Sequence, residues 1–252
     1  MNKEQIKVNI KDYPSEIRHY LKDVEVYDCS SSKEFQVLYL SSGHYLKSGK
    51  KNSLFLENKL TRQLHKKMIS VKVIKYASRK KDFLLTEEAK GKSSLNYLDN
   101  PHALIKVLAY YMKHLHSIDT YGFPFSEIMN IYFNSKKENY NIHYSLMKNR
   151  NMTKEEAIRI RKERLHKLKN DSLIHGDFCL PNIILNNYLP SAMIDLGNAG
   201  IGDHHIDIYW LLWSLEYNLK TDKYNEYFLE LYGKENVDEE ILELIAALEI
   251  LG

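Results

Sequence analysis

Through the first ninety residues the apolar positions come in short runs broken by polar turns; beyond them they recur every three or four residues. Residues 24–27, 35–40 and 44–46 are rich in Val, Tyr, Phe and Leu. They are separated by Ser30-Ser31-Ser32 and Ser41-Ser42-Gly43, a pattern that predicts short strands. Leu56, Leu60 and Leu64 lie four apart with Glu57, Lys59 and Arg62 between them, which predicts a helix over 54–64. Two more strands are expected at 71–76 and 82–86, joined by the basic turn Arg79-Lys80-Lys81.

After Lys90-Gly91 the period becomes helical. Asn100 is a good cap and Pro101 suits a first helical turn, so a helix is expected over 102–116, with Leu104, Val107, Leu108, Tyr111, Met112 and Leu115 inward. Thr153 and Glu156 form a capping-box pattern ahead of a strongly basic helix over 157–169, expected to be solvated with Leu165 and Leu168 packed inward. The stretch 172–209 interrupts the helices with a strand at 173–175, a loop, and a hairpin of 183–185 with 192–194. Helices resume at 206–216, 223–232 and 239–251. The change of character near residues 86–91 predicts two units, 1–88 and 89–252.

Composition narrows the class. The 252 residues are 44% apolar and 27% charged, which suits a folded chain with a sizeable core and excludes a disordered or collagen-like one. No uncharged apolar stretch reaches the length of a membrane span, and the charged N-terminus lacks the apolar core of a signal peptide. Two cysteines, Cys29 and Cys179, are too few for a disulfide framework. The expectation is a soluble, cytoplasmic protein without a nucleic-acid or membrane partner. The net charge of +3 is unevenly distributed: residues 216–252 hold ten acidic and three basic side chains, leaving +10 on residues 1–215.

The residues that can carry chemistry lie in one string. His175-Gly176-Asp177-Phe178-Cys179-Leu180-Pro181-Asn182 is followed by Asp195-Leu196-Gly197, with Asn182 five residues after Asp177 and Asp195 thirteen further on. Phosphoryl transfer needs a carboxylate near the attacking hydroxyl and oxygen ligands that hold Mg²⁺ against the phosphates. A loop carrying Asp177 and Asn182, with a hairpin returning Asp195, can supply all three at one point.

This string resembles the catalytic loop and metal motif of the aminoglycoside phosphotransferases, which share a fold with the protein kinases. Gly202-Asp203-His204-His205-Ile206-Asp207-Ile208 resembles a further segment of that family, and His114-Leu115-His116-Ser117-Ile118-Asp119 a helix end of its 3′-phosphotransferase branch. The resemblance implies an α+β, bilobal protein-kinase-like fold, with a small β-rich N-terminal lobe holding one helix and a larger, mainly helical C-terminal lobe. It implies that Asp177 is the catalytic carboxylate and that Asn182 and Asp195 bind Mg²⁺. Lys47 would reach the nucleotide α- and β-phosphates, held by Glu57. Ser31 and Ser32 lie in the turn that would cover the phosphates, and Glu87 and Ala89 in the segment that would meet the base. Asp203 and Asp207 would brace the catalytic loop.

The cofactors implied are ATP or GTP with Mg²⁺. The acceptor implied is a cationic aminoglycoside phosphorylated at its 3′-hydroxyl, which would confer antibiotic resistance, with Glu216 and Glu249 as substrate-binding carboxylates. Two departures bear on that acceptor. Where the 3′-phosphotransferases place an acidic pair, this chain has Trp213-Ser214-Leu215-Glu216-Tyr217-Asn218, and Asn198 stands where the family often has Arg. A kinase for another small alcohol, such as a choline-like metabolite or a different antibiotic, and a non-catalytic kinase-like binding module are the alternatives. The oligomeric state is left open.

Overall fold

The alternating stretches of the first ninety residues assemble into one antiparallel sheet. The computed structural model describes residues 4–134 and 139–252, and the chain forms two compact units, Met1–Lys90 and Gly91–Gly252. In the first, β1 (Glu4–Ile6), β2 (Val26–Asp28), β3 (Gln36–Leu40), β4 (His44–Lys50), β5 (Val73–Ser78) and β6 (Lys81–Glu87) pair in the order β1-β2-β3-β4-β6-β5. Leu38 pairs with Leu46 and Leu46 with Leu85, which puts these leucines on one face. That face buries Leu38, Leu40, Leu46, Phe83 and Leu85 against Ile17 and Leu21.

Ile17 belongs to a single-turn helix, α1 (Ser15–Arg18), in a stretch whose charge gave no periodic signal. Ile6, Val8, Ile10 and Tyr13 pack onto the same cluster, so the N-terminal segment supplies the lid of this core. The helix expected over 54–64 is α2 (Phe55–His65), with Leu60 and Leu64 fully buried and Leu56 half-buried. Its approach is anchored by Asp82, a buried carboxylate that accepts from Leu54 N, the Tyr76 hydroxyl and the Ser78 hydroxyl. Burial opposes the charge on Asp82, yet these donors hold its carboxyl below the ordinary range.

The second unit contains α3 (Pro101–His116), α4 (Glu127–Asn134), α5 (Lys154–Arg164), α6 (His205–Leu219), α7 (Asn225–Tyr232) and α8 (Glu239–Leu251). Two small sheets interrupt them: β7 (Lys92–Ser93), β9 (Ile183–Asn186) and β10 (Leu189–Met193) in the order β10-β9-β7, and β8 (Ser172–Ile174) paired with β11 (Gly200–Gly202). The expected caps form: Asn100 Oδ1 accepts from Ala103 N at 3.2 Å, and Thr153 Oγ1 from Glu156 N at 3.1 Å. The β9–β10 hairpin turns on Asn187 and Tyr188, both at positive φ, as a two-residue hairpin of that twist requires.

Three expectations shift. Helix α5 ends at Arg164, short of residue 169, because the chain must turn into β8; Lys169 N is drawn onto the Asp203 carboxylate at 2.9 Å. Its inward residues are Ala157 and Ile160, and Leu168 is buried only beyond its end. Helix α4 has no counterpart among the expected elements: Ile128, Met129, Ile131, Tyr132 and Phe133 are nearly continuous in sequence, which masks the helical period. The basic α5 packs on the acidic α8, where Arg164 pairs with Glu243; just beyond α5, Lys167 pairs with Glu240. Part of the acidic surplus of the last 37 residues is thus matched by basic partners elsewhere in the same unit.

Candidate active site

Lys47 sits in β4, the strand between β3 and β6, where both neighbours hold its backbone. Its Nζ lies 2.8 Å from Glu57 Oε2, with side chains only 15% and 7% exposed. The same Nζ stands 4.7 Å from the centre of the Phe35 ring. Phe35 can lie that close because Gly49 has no side chain: a Cβ there would fall 2.6 Å from the ring. An ion pair from strand to first helical turn, backed by an aromatic face, holds the lysine extended. Tyr45, two residues earlier, shares the face of Lys47. Tyr27, Tyr39 and Tyr45 pair across β2, β3 and β4 with ring centres 6.2 and 5.1 Å apart, and burial pushes the Tyr45 hydroxyl up to about 12.

Ser31 and Ser32 lie exposed in the turn between β2 and β3. Asp28 supports its start by accepting from Ser30 N at 2.8 Å, Ser30 Oγ accepts from Val37 N at 2.9 Å, and Ser32 Oγ accepts from Phe35 N. Glu87 closes β6, with its N–H committed to Lys72 O at 3.0 Å, and Ala89 follows half-buried.

In the second unit, the loop between β8 and β9 carries Asp177 and Asn182. Its shape begins with Gly176 at φ +78°, where a Cβ would stand 2.4 Å from Asn198 O, so no larger residue fits. The fully buried Asp207 carboxylate accepts from His175 N and Gly176 N, each at 2.8 Å. It also takes the Nε2–H of His116 at 3.0 Å, and the Tyr232 hydroxyl donates to His116 Nδ1 at 2.8 Å. His175 itself is buried; its Nε2–H donates to Ile194 O at 3.0 Å, and its Nδ1 faces Asp177 N at 3.3 Å. The backbone before Asp177 is therefore fixed from α3, α6 and α7 together.

Asn182 Nδ2 donates to Asp177 Oδ2 at 2.9 Å and to Asp177 O at 3.0 Å. Ile194 N donates to Asn182 O at 3.0 Å, which brings Asp195 beside Asn182 at the end of the β9–β10 hairpin. Asp195 adopts the left-handed conformation, φ 59° and ψ 57°, uncommon for a residue with a side chain and frequent at functional turns. Asp177, Asn182 and Asp195 are thus gathered by one loop and one hairpin. All three offer hard oxygen donors, the set that suits Mg²⁺.

The remaining predicted residues are placed differently. Glu216 is buried, and its oxygens accept from Met147 N and Asn225 Nδ2, so it ties α6 to the segment before α5 and to α7. Glu249 is half-buried and accepts from the Tyr132 hydroxyl. Burial, with the nearby Asp177 charge adding to it, pushes its carboxyl up to about 7, while the Tyr132 and Trp210 donors pull the other way. Cys179 is buried, which pushes its thiol up, and it donates to Trp210 O; it is a packing residue and not a nucleophile.

Asp203, His204 and His205 bring possible metal-binding atoms within 4.8 Å of one another. Asp203 already accepts from Lys169 N, His205 N and His205 Nδ1, and His205 Nε2 accepts from Asp238 N. This group braces the start of α6, and its imidazole nitrogens do not suit Mg²⁺. Sequence reasoning missed the roles of His116, which reaches Asp207 from α3, and of Tyr232, which reaches His116 from α7.

No helix among the described residues is long and apolar enough to cross a membrane. Residues 44–245 match the model of a phosphotransferase enzyme family. The chain is 36% identical over 260 residues to a probable aminoglycoside 3′-phosphotransferase of Lactococcus lactis subsp. lactis (strain IL1403), covering 100% of this chain and 99% of that one. It is 44% identical over 66 residues to an aminoglycoside 3′-phosphotransferase of Niallia circulans, covering 26% of this chain and 25% of that one. In fold it is similar to the aminoglycoside phosphotransferase APH(3″)-Id of Streptomyces rimosus, with a TM-score of 0.73 at 20% identity over 97% of this chain and 99% of that one. From full-length likeness, the matched family model and the shared bilobal α+β, protein-kinase-like fold, the chain belongs to the aminoglycoside phosphotransferase family, enzymes that move a phosphoryl group from a nucleoside triphosphate to a small-molecule acceptor.

Proposed function

We propose that this enzyme transfers the γ-phosphoryl group of ATP or GTP to a hydroxyl of an aminoglycoside, the 3′-hydroxyl being the position named for its relatives, and so confers resistance. The observation that carries this reading is the Asp177–Asn182–Asp195 group, an oxygen cluster held by a loop with no freedom at Gly176.

In this reading Asp177 accepts the hydrogen bond of the acceptor hydroxyl and aligns it for in-line attack, taking its proton as the new oxygen–phosphorus bond forms, the bond from the γ-phosphorus to the β–γ bridging oxygen breaks and the nucleoside diphosphate leaves. Asn182 keeps that carboxylate in place through its amide, and its carbonyl oxygen, with the Asp195 carboxylate, would hold Mg²⁺. Bound there, Mg²⁺ supplies charge neutralisation for the phosphates. Lys47, kept extended by Glu57, pairs with the α- and β-phosphates. Ser31 and Ser32 offer hydroxyls to the phosphates, Glu87 and Ala89 border the base, and Tyr45 offers it an aromatic face.

A second reading, a kinase for another small alcohol, gains from Glu216 and Glu249. Both carboxylates already have partners within the protein, which weakens their proposed grip on a polycation. Nucleotide turnover coupled to product formation, run with kanamycin-type, neomycin-type and non-aminoglycoside alcohols, separates the two. Stimulation by none of the aminoglycosides selects the second.

A further inference from the structure

Trp210, Trp213 and Tyr217 recur along α6 at spacings of three and four, which aligns them on one side of the helix. The rings of Trp210 and Trp213 are 5.4 Å apart, and those of Trp213 and Tyr217 are stacked at 5.2 Å. Tyr144, from the segment before α5, lies 5.9 Å from each tryptophan ring. Hydrogen bonds fix the shelf in place: Trp213 Nε1 donates to His143 O at 3.0 Å, and the Tyr209 hydroxyl to Tyr144 O at 2.6 Å. Yet the rings stay in contact with solvent, Tyr217 47% and Tyr144 37% exposed, with both tryptophans half-buried. A pre-formed run of four rings left open to water is costly for a fold and useful for binding.

The shelf begins at the catalytic loop. Cys179, two residues after Asp177, donates to Trp210 O, and Leu180 N donates to Ser214 Oγ at 3.0 Å, so α6 holds that loop while carrying the rings. The Trp210 side chain and the Asp177 charge both act on the Glu249 carboxyl, the first lowering its pKa and the second raising it. At its other end the shelf borders a cleft of about 400 Å³, lined by Arg150, Lys220 and Glu216. Glu216 is buried there with both oxygens engaged, whereas Arg150 and Lys220 are exposed, and Lys220 Nζ stands 4.3 Å over the Tyr217 ring. This end therefore offers rings and positive charge, and little for an ammonium group to pair with.

We propose that Trp213, Tyr217 and Tyr144 form an acceptor subsite that stacks on the apolar face of a sugar or cyclitol ring, so that the acceptor is selected here by ring shape and not by ammonium–carboxylate pairing. The proposal rests on the phosphotransferase reading and deepens it. It places the un-aminated face of a glycoside on the shelf while the hydroxyl to be phosphorylated reaches Asp177.

The chain's only two tryptophans, Trp210 and Trp213, both lie in this shelf, so intrinsic tryptophan emission reports on it directly. The test titrates the full-length protein with kanamycin A and follows emission, alongside steady-state turnover. A saturable emission change is expected. In Trp213→Ala and, independently, in the exposed Tyr217→Ala, the KM for kanamycin A should rise by about tenfold with the loss falling on KM more than kcat, and Trp213→Phe should restore most of it. An emission change without turnover supports the subsite while removing the aminoglycoside as phosphoryl acceptor. Unchanged emission with kanamycin A, or turnover in both alanine variants with wild-type KM, overturns the subsite.

Discussion

The side-chain amide of Asn182 donates to the carboxylate of Asp177 at 2.9 Å, so two residues five apart in sequence lock one another within a loop. The bond leaves Asn182 no freedom to rotate its amide away, and it points Asp177 in one direction. Asp177→Asn should keep the loop shape while losing the carboxylate. We expect kcat to fall by at least about 100-fold, with the nucleotide Kd, read by equilibrium dialysis, within a fewfold of the parent.

The Lys47–Glu57 pair makes a separable prediction. Lys47→Ala would remove the charge-assisted contact to phosphate proposed above, so the nucleotide KM should rise by about tenfold or more while the acceptor KM stays within a fewfold. Glu57→Gln should produce a smaller change in the same direction, because the lysine keeps its place over Phe35. Initial-rate measurements with each substrate varied in turn distinguish these outcomes.

How much of this was legible in the sequence depended on how local the signal was. The strand–helix order around Lys47, the caps at Asn100 and Thr153 and the Asp177–Asn182–Asp195 spacing are short-range patterns, and each falls where its residues predicted. Helix α4 gives no periodic signal because its apolar residues are nearly continuous, and the N-terminal lid gives none because its burial depends on partners far along the chain. The acidic C-terminal segment shows the limit of charge counting. A surplus of negative charge there does not mean free carboxylates, because Glu243 and Glu240 pair with Arg164 and Lys167.

Asp207 is the brace on which the loop carrying Asp177 rests. It is fully buried and accepts from two backbone N–H groups and from His116. Asp207→Ala would leave those donors without a partner, at a cost of about 3 kcal/mol or more. Chemical denaturation should show that loss, and kcat should fall further than the unfolded fraction explains.

Glu249 gives the stability a pH dependence. Its carboxyl titrates at about 7 in the folded chain against 4.5 as its reference value. The folded state therefore holds a proton that the unfolded state releases between those values. The stabilisation is complete below about pH 4.5 and is lost as pH rises through about 7, and it amounts to roughly 3 kcal/mol. Glu249→Gln cannot ionise, so its stability relative to the parent should be higher at pH 8 than at pH 5. Urea unfolding of both proteins at the two pH values reads this directly, and parallel pH profiles would contradict it.

The central claim is phosphoryl transfer to an aminoglycoside hydroxyl through Asp177. Incubation with ATP, Mg²⁺ and kanamycin A, followed by phosphorus NMR and mass spectrometry of the drug, tests it most directly. The account predicts one phosphate monoester on the 3′-hydroxyl, formed by the parent and absent with Asp177→Asn. An unmodified drug with active nucleotide binding, or the same monoester formed at the parent rate by Asp177→Asn, would contradict it.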